Sequence, residues 1–145
     1  MPSITRTFTT TASPGTAHAY LADFRNAQEW DPGTTTCERT GGDGGVGTTY
    51  RNVSSFLGRE VELTYTATEL TAPSLVHLRG TNDSFDGFDR FEIDAAGTGS
   101  QITYTARMTF SGLSRLAVPL VAAYLPTLAT KTVDQLRSCL DRQPG

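Results

Sequence analysis

Over residues 102–110 every second side chain is apolar: Ile102, Tyr104, Ala106, Met108 and Phe110 alternate with Thr103, Thr105, Arg107 and Thr109. A period of two places these sets on opposite faces of a strand. The period then changes. Across residues 112–142, Leu113, Leu116, Leu120, Tyr124, Leu128, Val133, Leu136 and Leu140 recur mostly three and four apart. That spacing predicts a long helix with one apolar stripe, leaving Arg115, Lys131, Gln135, Arg137 and Arg142 for water. A sheet with one apolar face and a helix with one apolar stripe leave water together by stacking. Pro119 and Pro126 each lack a backbone donor, which predicts a kink or a separate first turn.

The preceding segment reads as strands joined by short turns. Val61, Leu63, Tyr65 and Ala67 alternate with Glu60, Glu62, Thr64, Thr66 and Thr68. A tight turn at Leu57-Gly58 pairs Phe56 with Arg59, Ser54 with Val61, Asn52 with Leu63 and Tyr50 with Tyr65. A turn through residues 70–73 predicts Val76 opposite Ala67 and Leu78 opposite Tyr65, with His77 and Arg79 outward. Phe91 and Ile93 share a face against Arg90 and Glu92. The Gly-rich loop 95–100 sets Ile93 against Ile102, Phe91 against Tyr104 and Asp89 against Ala106. At the other end, the Thr-rich residues 4–11 form a first strand. Ser13-Pro14 then caps a short helix carrying Ala17, Tyr20, Leu21 and Phe24. Residues 26–30 add a second helical turn, stopped by Asp31-Pro32-Gly33. Trp30, the only tryptophan, falls at this elbow and is expected to plug one end of the core. Residues 34–40 form a weak strand with an exposed edge, on which a homodimer could pair.

A chain of 145 residues is long enough for one domain with a real core, taken to span residues 1–145. The formal charge of −3 and the scatter of its 12 Lys and Arg residues leave no basic face for nucleic acid or an anionic membrane. No apolar run approaches membrane-spanning length and no apolar leader precedes the first strand, so a soluble, cytoplasmic protein is expected. Cys37 and Cys139 read as half-buried free thiols. Gly42-Asp43-Gly44-Gly45-Val46-Gly47 matches a dinucleotide-binding spacing, but a strand follows where that motif needs a helix, so it is a hairpin loop. His18 and His77 lie on different elements, away from either cysteine, and His18 is expected at the surface. No metal site and no cofactor are expected.

The deduced inner face carries polar groups that a solid core would avoid: Asn52, Ser54, Asp89 and the hydroxyls of Tyr50, Tyr65 and Tyr104. Their concentration on one face predicts a cavity between sheet and helix. The lining expected from the strands is Tyr50, Asn52, Ser54, Leu63, Tyr65, Val76, Leu78, Phe91 and Met108. Trp30 would close one end, and Leu120 and Tyr124 would reach in from the helix. Asp89, an inward carboxylate losing hydration, is the candidate acid or base, with Tyr104 or Tyr65 orienting a substrate oxygen.

The order of strand, two short helices, six strands and long helix resembles the helix-grip fold. Ala12-Ser13-Pro14, the run from Ala19 through Asn26 to Trp30-Asp31-Pro32, Gly47, Pro73, Phe110-Ser111-Gly112 and Pro119 narrow the resemblance. They are similar to the polyketide cyclase/dehydrase-like branch of the START/Bet v 1-type (SRPBCC) superfamily. The resemblance implies an α+β fold, a seven-stranded antiparallel sheet wrapped around the C-terminal helix, with two short helices between strands one and two. It also implies a small hydrophobic ligand of lipid, polyketide or aromatic type as the partner. A cyclase or dehydratase is the second reading, and a protein-interaction module with a filled core is the third.

Overall fold

The computed structural model describes residues 2–144. Strand β1 (Ser3–Thr10) runs into helix α1 (Pro14–Ala22), whose first turn is held by Ser13 Oγ accepting from the Thr16 amide and by Pro14 in the first helical turn. A 3-10 turn, Phe24–Asn26, and helix α2 (Ala27–Trp30) complete the elbow. Six strands follow: β2 (Thr34–Gly41), β3 (Thr49–Phe56), β4 (Arg59–Thr71), β5 (Leu75–Asn82), β6 (Phe85–Ala96) and β7 (Gly99–Phe110). A 3-10 segment, Gly112–Ala117, leads into helix α3 (Val118–Asp141). The sheet order is β1-β7-β6-β5-β4-β3-β2, antiparallel throughout, so β1 and β2 are its edges. This is the expected helix-grip architecture.

Two registers match the sequence reading. Phe56 faces Arg59 across Leu57-Gly58, both of which have positive φ, and the pairs Ser54/Val61, Asn52/Leu63 and Tyr50/Tyr65 follow. Across the β6–β7 turn, Asp89 faces Ala106 and Phe91 faces Tyr104. The β4–β5 register differs from expectation. Leu78 pairs with Ala67, Val76 with Leu70, and Tyr65 meets Gly80. Strand β4 continues to Thr71, and a bulge between Ala67 and Glu69 absorbs one residue. The net slip is two residues, an even number, so Val76 and Leu78 remain inside.

The helix departs from its expected stripe. Val121, Leu125, Ala129, Thr132, Leu136, Cys139 and Leu140 are buried, whereas Leu113, Leu116 and Leu120 are 87%, 81% and 60% exposed. Leu113 and Leu116 lie in the 3-10 segment, outside the α-helical phase. Within α3, Leu120 is turned roughly 160° from Leu136 at 3.6 residues per turn, so the face that carries Leu136 continues instead through Thr132, Ala129, Leu125 and Val121. Thr132 fits that apolar line because its hydroxyl donates to the Leu128 carbonyl at 2.9 Å. The C-terminal half, with Leu136 and Leu140, joins the core that also contains Phe8, Leu21, Trp30 and Ile102. Leu136→Ala is therefore expected to cost roughly 2–5 kcal/mol and Leu120→Ala less than about 0.5 kcal/mol, read from urea unfolding curves. Equal losses at the two positions would refute this phase of the helix.

Three further expectations change. By length and composition Gly112–Asp141 is apolar enough to cross a membrane, although its buried stripe lies in the protein. His18 is buried, with Nε2 3.0 Å from the Leu75 carbonyl. Cys37 and Cys139 are free, and both are fully buried rather than half-buried.

Candidate functional site

The inner face divides into a filled end and a more open one. At the filled end, beneath α2, Trp30 is set edge-on to Phe91 at 5.6 Å and to Tyr104 at 6.3 Å between ring centroids. Phe91 and Tyr104 stack at 4.9 Å, as their cross-strand pairing allows. Phe24 joins this group through Trp30 at 6.0 Å, Tyr50 at 5.9 Å and Tyr65 at 4.4 Å. Trp30 is the expected plug. Its Nε1–H is a buried donor with no partner among the described residues.

Towards the other end the sheet thins. Gly80 pairs with Gly87, so the inner row running Tyr50, Tyr65, Gly80, Gly87, Met108 has two adjacent positions without side chains. A Cβ on Gly80 would lie 2.7 Å from the Tyr65 ring, and one on Gly87 would lie 2.5 Å from the Arg107 carbonyl oxygen. Glycine is thus required for the ring to lie over β5 and for the close backbone approach at β6. Asp89 sits one row further along, between Leu78 and Ala106.

Asp89 Oδ1 accepts a hydrogen bond from the Tyr104 hydroxyl at 2.6 Å. Loss of hydration pushes its carboxyl up to about 7; the hydrogen bonds from Tyr104 and Tyr65 oppose that rise, and the charge of Asp31 adds to it. No Arg or Lys enters this balance among the described residues. The Tyr65 and Tyr104 hydroxyls are held well above the ordinary phenol range, chiefly by burial and then by the Asp89 charge. Asp89 and Tyr65 are half-buried, so each keeps some accessible surface on the inner side.

The expected lining residues fall into three sets. Trp30, Tyr50, Val76, Leu78, Phe91 and Tyr104 lie in the filled core. Ser54, Tyr65, Asp89, Met108 and Tyr124 retain accessible surface on the inner side, and Phe56 meets Tyr124 at 6.1 Å between ring centroids. Leu63 is buried outside the main core cluster, and Leu120 belongs to the exposed leucines.

Asn52 is committed internally. Its Nδ2 donates to Thr34 Oγ1 at 3.1 Å and its Oδ1 accepts from Ser54 Oγ at 2.6 Å, while Thr34 Oγ1 donates to Asp31 Oδ2 at 2.8 Å. Asp31 also accepts from the Gly33 amide at 3.0 Å. Burial raises its carboxyl, and these two hydrogen bonds oppose the rise. Asp31 and the Gly80/Gly87 pair were missed as site features. In sequence, Asp31 belongs to a turn signal, whereas two glycines inside strands do mark a place of close approach.

Other corners of the molecule offer less. Two open, polar depressions lie away from the inner face. One, of about 400 Å³, is lined by Glu62, Thr64, Thr81, Asn82, Asp83 and Ser84. The other, of about 490 Å³, lies beside Thr16, Tyr20, Asp23, Asn26 and Glu29. Among the described residues no cluster of three His, Cys, Asp or Glu side chains is placed to hold a metal.

A seven-stranded antiparallel sheet gripping a long helix, with a carboxylate and two phenols on its inner side, is a helix-grip fold. Residues 1–140 match the family described as polyketide cyclase / dehydrase and lipid transport, and the chain belongs to that family. No curated protein matches the sequence. Among solved structures, the ZhuI aromatase/cyclase from Streptomyces sp. R1128 superposes with a TM-score of 0.79 at 12% identity, covering 97% of this chain and 93% of that one. The Thermus thermophilus protein TTHA0849 gives 0.79 at 13% identity, covering 96% and 97%. A START superfamily protein from Mycobacterium smegmatis gives 0.69 at 17% identity, covering 96% and 94%. At such identities the likeness is one of fold.

Proposed function

We propose that this chain is a single binding domain for a small, largely apolar, ring-containing molecule, held between the sheet and α3. The observation that carries the reading is Asp89, a carboxylate on the inner face that keeps accessible surface among aromatic rings. An apolar wall with a few convergent polar groups suits a ligand that is mostly hydrocarbon and oriented by one polar atom. Asp89 is the anchor, with Tyr104 and Tyr65 holding its oxygens. Tyr124, Met108 and Ser54 line the accessible part, and the buried rings of Trp30 and Phe91 form its floor.

One observation favours an enzyme of cyclase or dehydratase type as the second reading. A carboxyl titrating near 7 can accept or return a proton at neutral pH, which such chemistry needs beside a carbonyl or phenol oxygen. The buried free thiols suit a reducing cytoplasm, and the β2 edge is where a second copy could pair. Native mass spectrometry of gently purified protein tests the binding reading. The expected result is an apolar adduct that is lost on denaturation. A bare chain in every preparation, with no uptake of a hydrophobic ring fluorophore, would favour the filled-core interaction module.

A further inference from the structure

We propose that the ring-containing ligand bears a protonated amine, and that Asp89 with the surrounding ring faces selects it over neutral and anionic analogues. The proposal rests on the binding reading above and narrows it to a ligand class.

The charge inventory of the inner face motivates it. Asp89 from β6 and Asp31 after α2 are close enough for each negative charge to be felt across the site. Neither has a cationic partner among the described salt bridges. From β4 and β7 the facing titratable groups are the Tyr65 and Tyr104 phenols, both enclosed and both neutral. From α1 the nearest is His18, whose Nε2 is engaged with the Leu75 carbonyl. The buried line of α3 is Val121, Leu125, Ala129, Thr132 and Leu136, with no charge in it. On β1, Arg6 shares the inner face and pairs across the strands with Tyr104, but its Nη1 donates to the Thr5 carbonyl at 3.1 Å in an exposed contact, which leaves the guanidinium screened by water rather than bonded to Asp89. The outward Arg51, Arg79 and Arg90 are paired with Glu62, Asp86 and Glu92 on the far side of the sheet. Asp89 and Asp31 therefore face the inner side with no side-chain cation bonded to either among the described residues.

Aromatic faces complete the argument. Tyr104, bonded to Asp89, is contiguous with Phe91, Trp30, Phe24 and Tyr65, and of these rings Tyr65, the second phenol beside Asp89, is the one that keeps accessible surface. An ammonium held against a carboxylate and over ring faces gains from both, and the gain grows as water is excluded. A carboxylate ligand would meet like charge, and a neutral alcohol would leave the acid uncompensated.

Binding of a cation favours the ionised form of Asp89, so it must release a proton near neutral pH. Calorimetry on the full chain with naphthylmethylamine, naphthalenemethanol and naphthoic acid tests this directly. The amine is expected to bind tightest, and to bind roughly tenfold tighter at about pH 8 than at about pH 6, because Asp89 ionises over that range. Titrations in buffers of differing ionisation heat should show about half a proton released at about pH 7, and none for the alcohol. Asp89→Asn should erase both the preference for amine over alcohol and the pH dependence of amine binding. The wild-type pH profile reads the same point without any variant. An amine that binds no tighter than the alcohol, or naphthoic acid binding best, overturns the amine proposal and leaves the ring-ligand reading standing. If none of the three binds, the ring-ligand reading falls and the amine proposal with it.

Discussion

Asp89→Asn should stabilise the protein at alkaline pH. The folded chain holds the Asp89 proton more tightly than the unfolded chain, since the carboxyl rises from 3.8 to about 7. The stability contributed by this group is fully present below the unfolded value and is lost as pH climbs through the folded one. Over that window wild type gives up on the order of 3–4 kcal/mol that an uncharged isostere retains. Urea unfolding from about pH 4 to about pH 8 should show wild type and Asp89→Asn diverging as pH rises, with the Asn protein ahead. The carboxylates held low by partners, Asp23, Asp86 and Asp141, are common to both proteins and cancel in the difference. Parallel curves would mean that Asp89 titrates as an ordinary surface acid, and its assigned role would go with it.

The largest loss is expected at Trp30. Its ring touches Phe24, Phe91 and Tyr104 and ties the α2 elbow to strands β6 and β7. Trp30→Ala should cost roughly 3–5 kcal/mol, because the surrounding rings cannot collapse fully into the gap. Trp30→Phe should cost only about 1–2 kcal/mol, since it keeps the edge contacts and gives up an N–H that bonds nothing. Denaturant midpoints followed by circular dichroism compare the two variants with wild type. A Trp30→Ala protein within about 1 kcal/mol of wild type would show that the elbow is not part of the cooperative core.

The sequence was most informative where one rule acted alone. Alternation placed Ile102, Tyr104 and Ala106 inside, and the parity of Phe91 and Ile93 carried Asp89 in with them. Turn chemistry at Leu57-Gly58 set the β3–β4 register. It was least informative where two local geometries met. A bulge near Thr68 displaced the β4–β5 pairing, because an extra residue in one strand leaves no mark on its apolar pattern. A stripe counted straight through residues 112–142 runs across the 3-10 segment and drifts around α3, so the leucines at 113, 116 and 120 looked like core when they are surface. Asn52 was legible as an inward polar group, but its commitment to Thr34 and Ser54 depends on a strand whose own pattern is weak. Asp31 reads as a turn residue because in sequence it is one, and only the folded elbow brings its charge to Asp89.

The two halves of α3 carry different duties. Leu136, Cys139 and Leu140 anchor the C-terminal half in the core, whereas the segment before it exposes Leu113, Leu116 and Leu120 and sets Tyr124 against Phe56. Substitutions in the first part leave the anchoring contacts untouched and so stay clear of the margin at which a marginally stable chain fails. Residues 113–124 can then drift in descendants of this sequence while foldedness is kept by residues elsewhere. A protein arranged in this way is evolvable along the first half of its helix and conservative along the second.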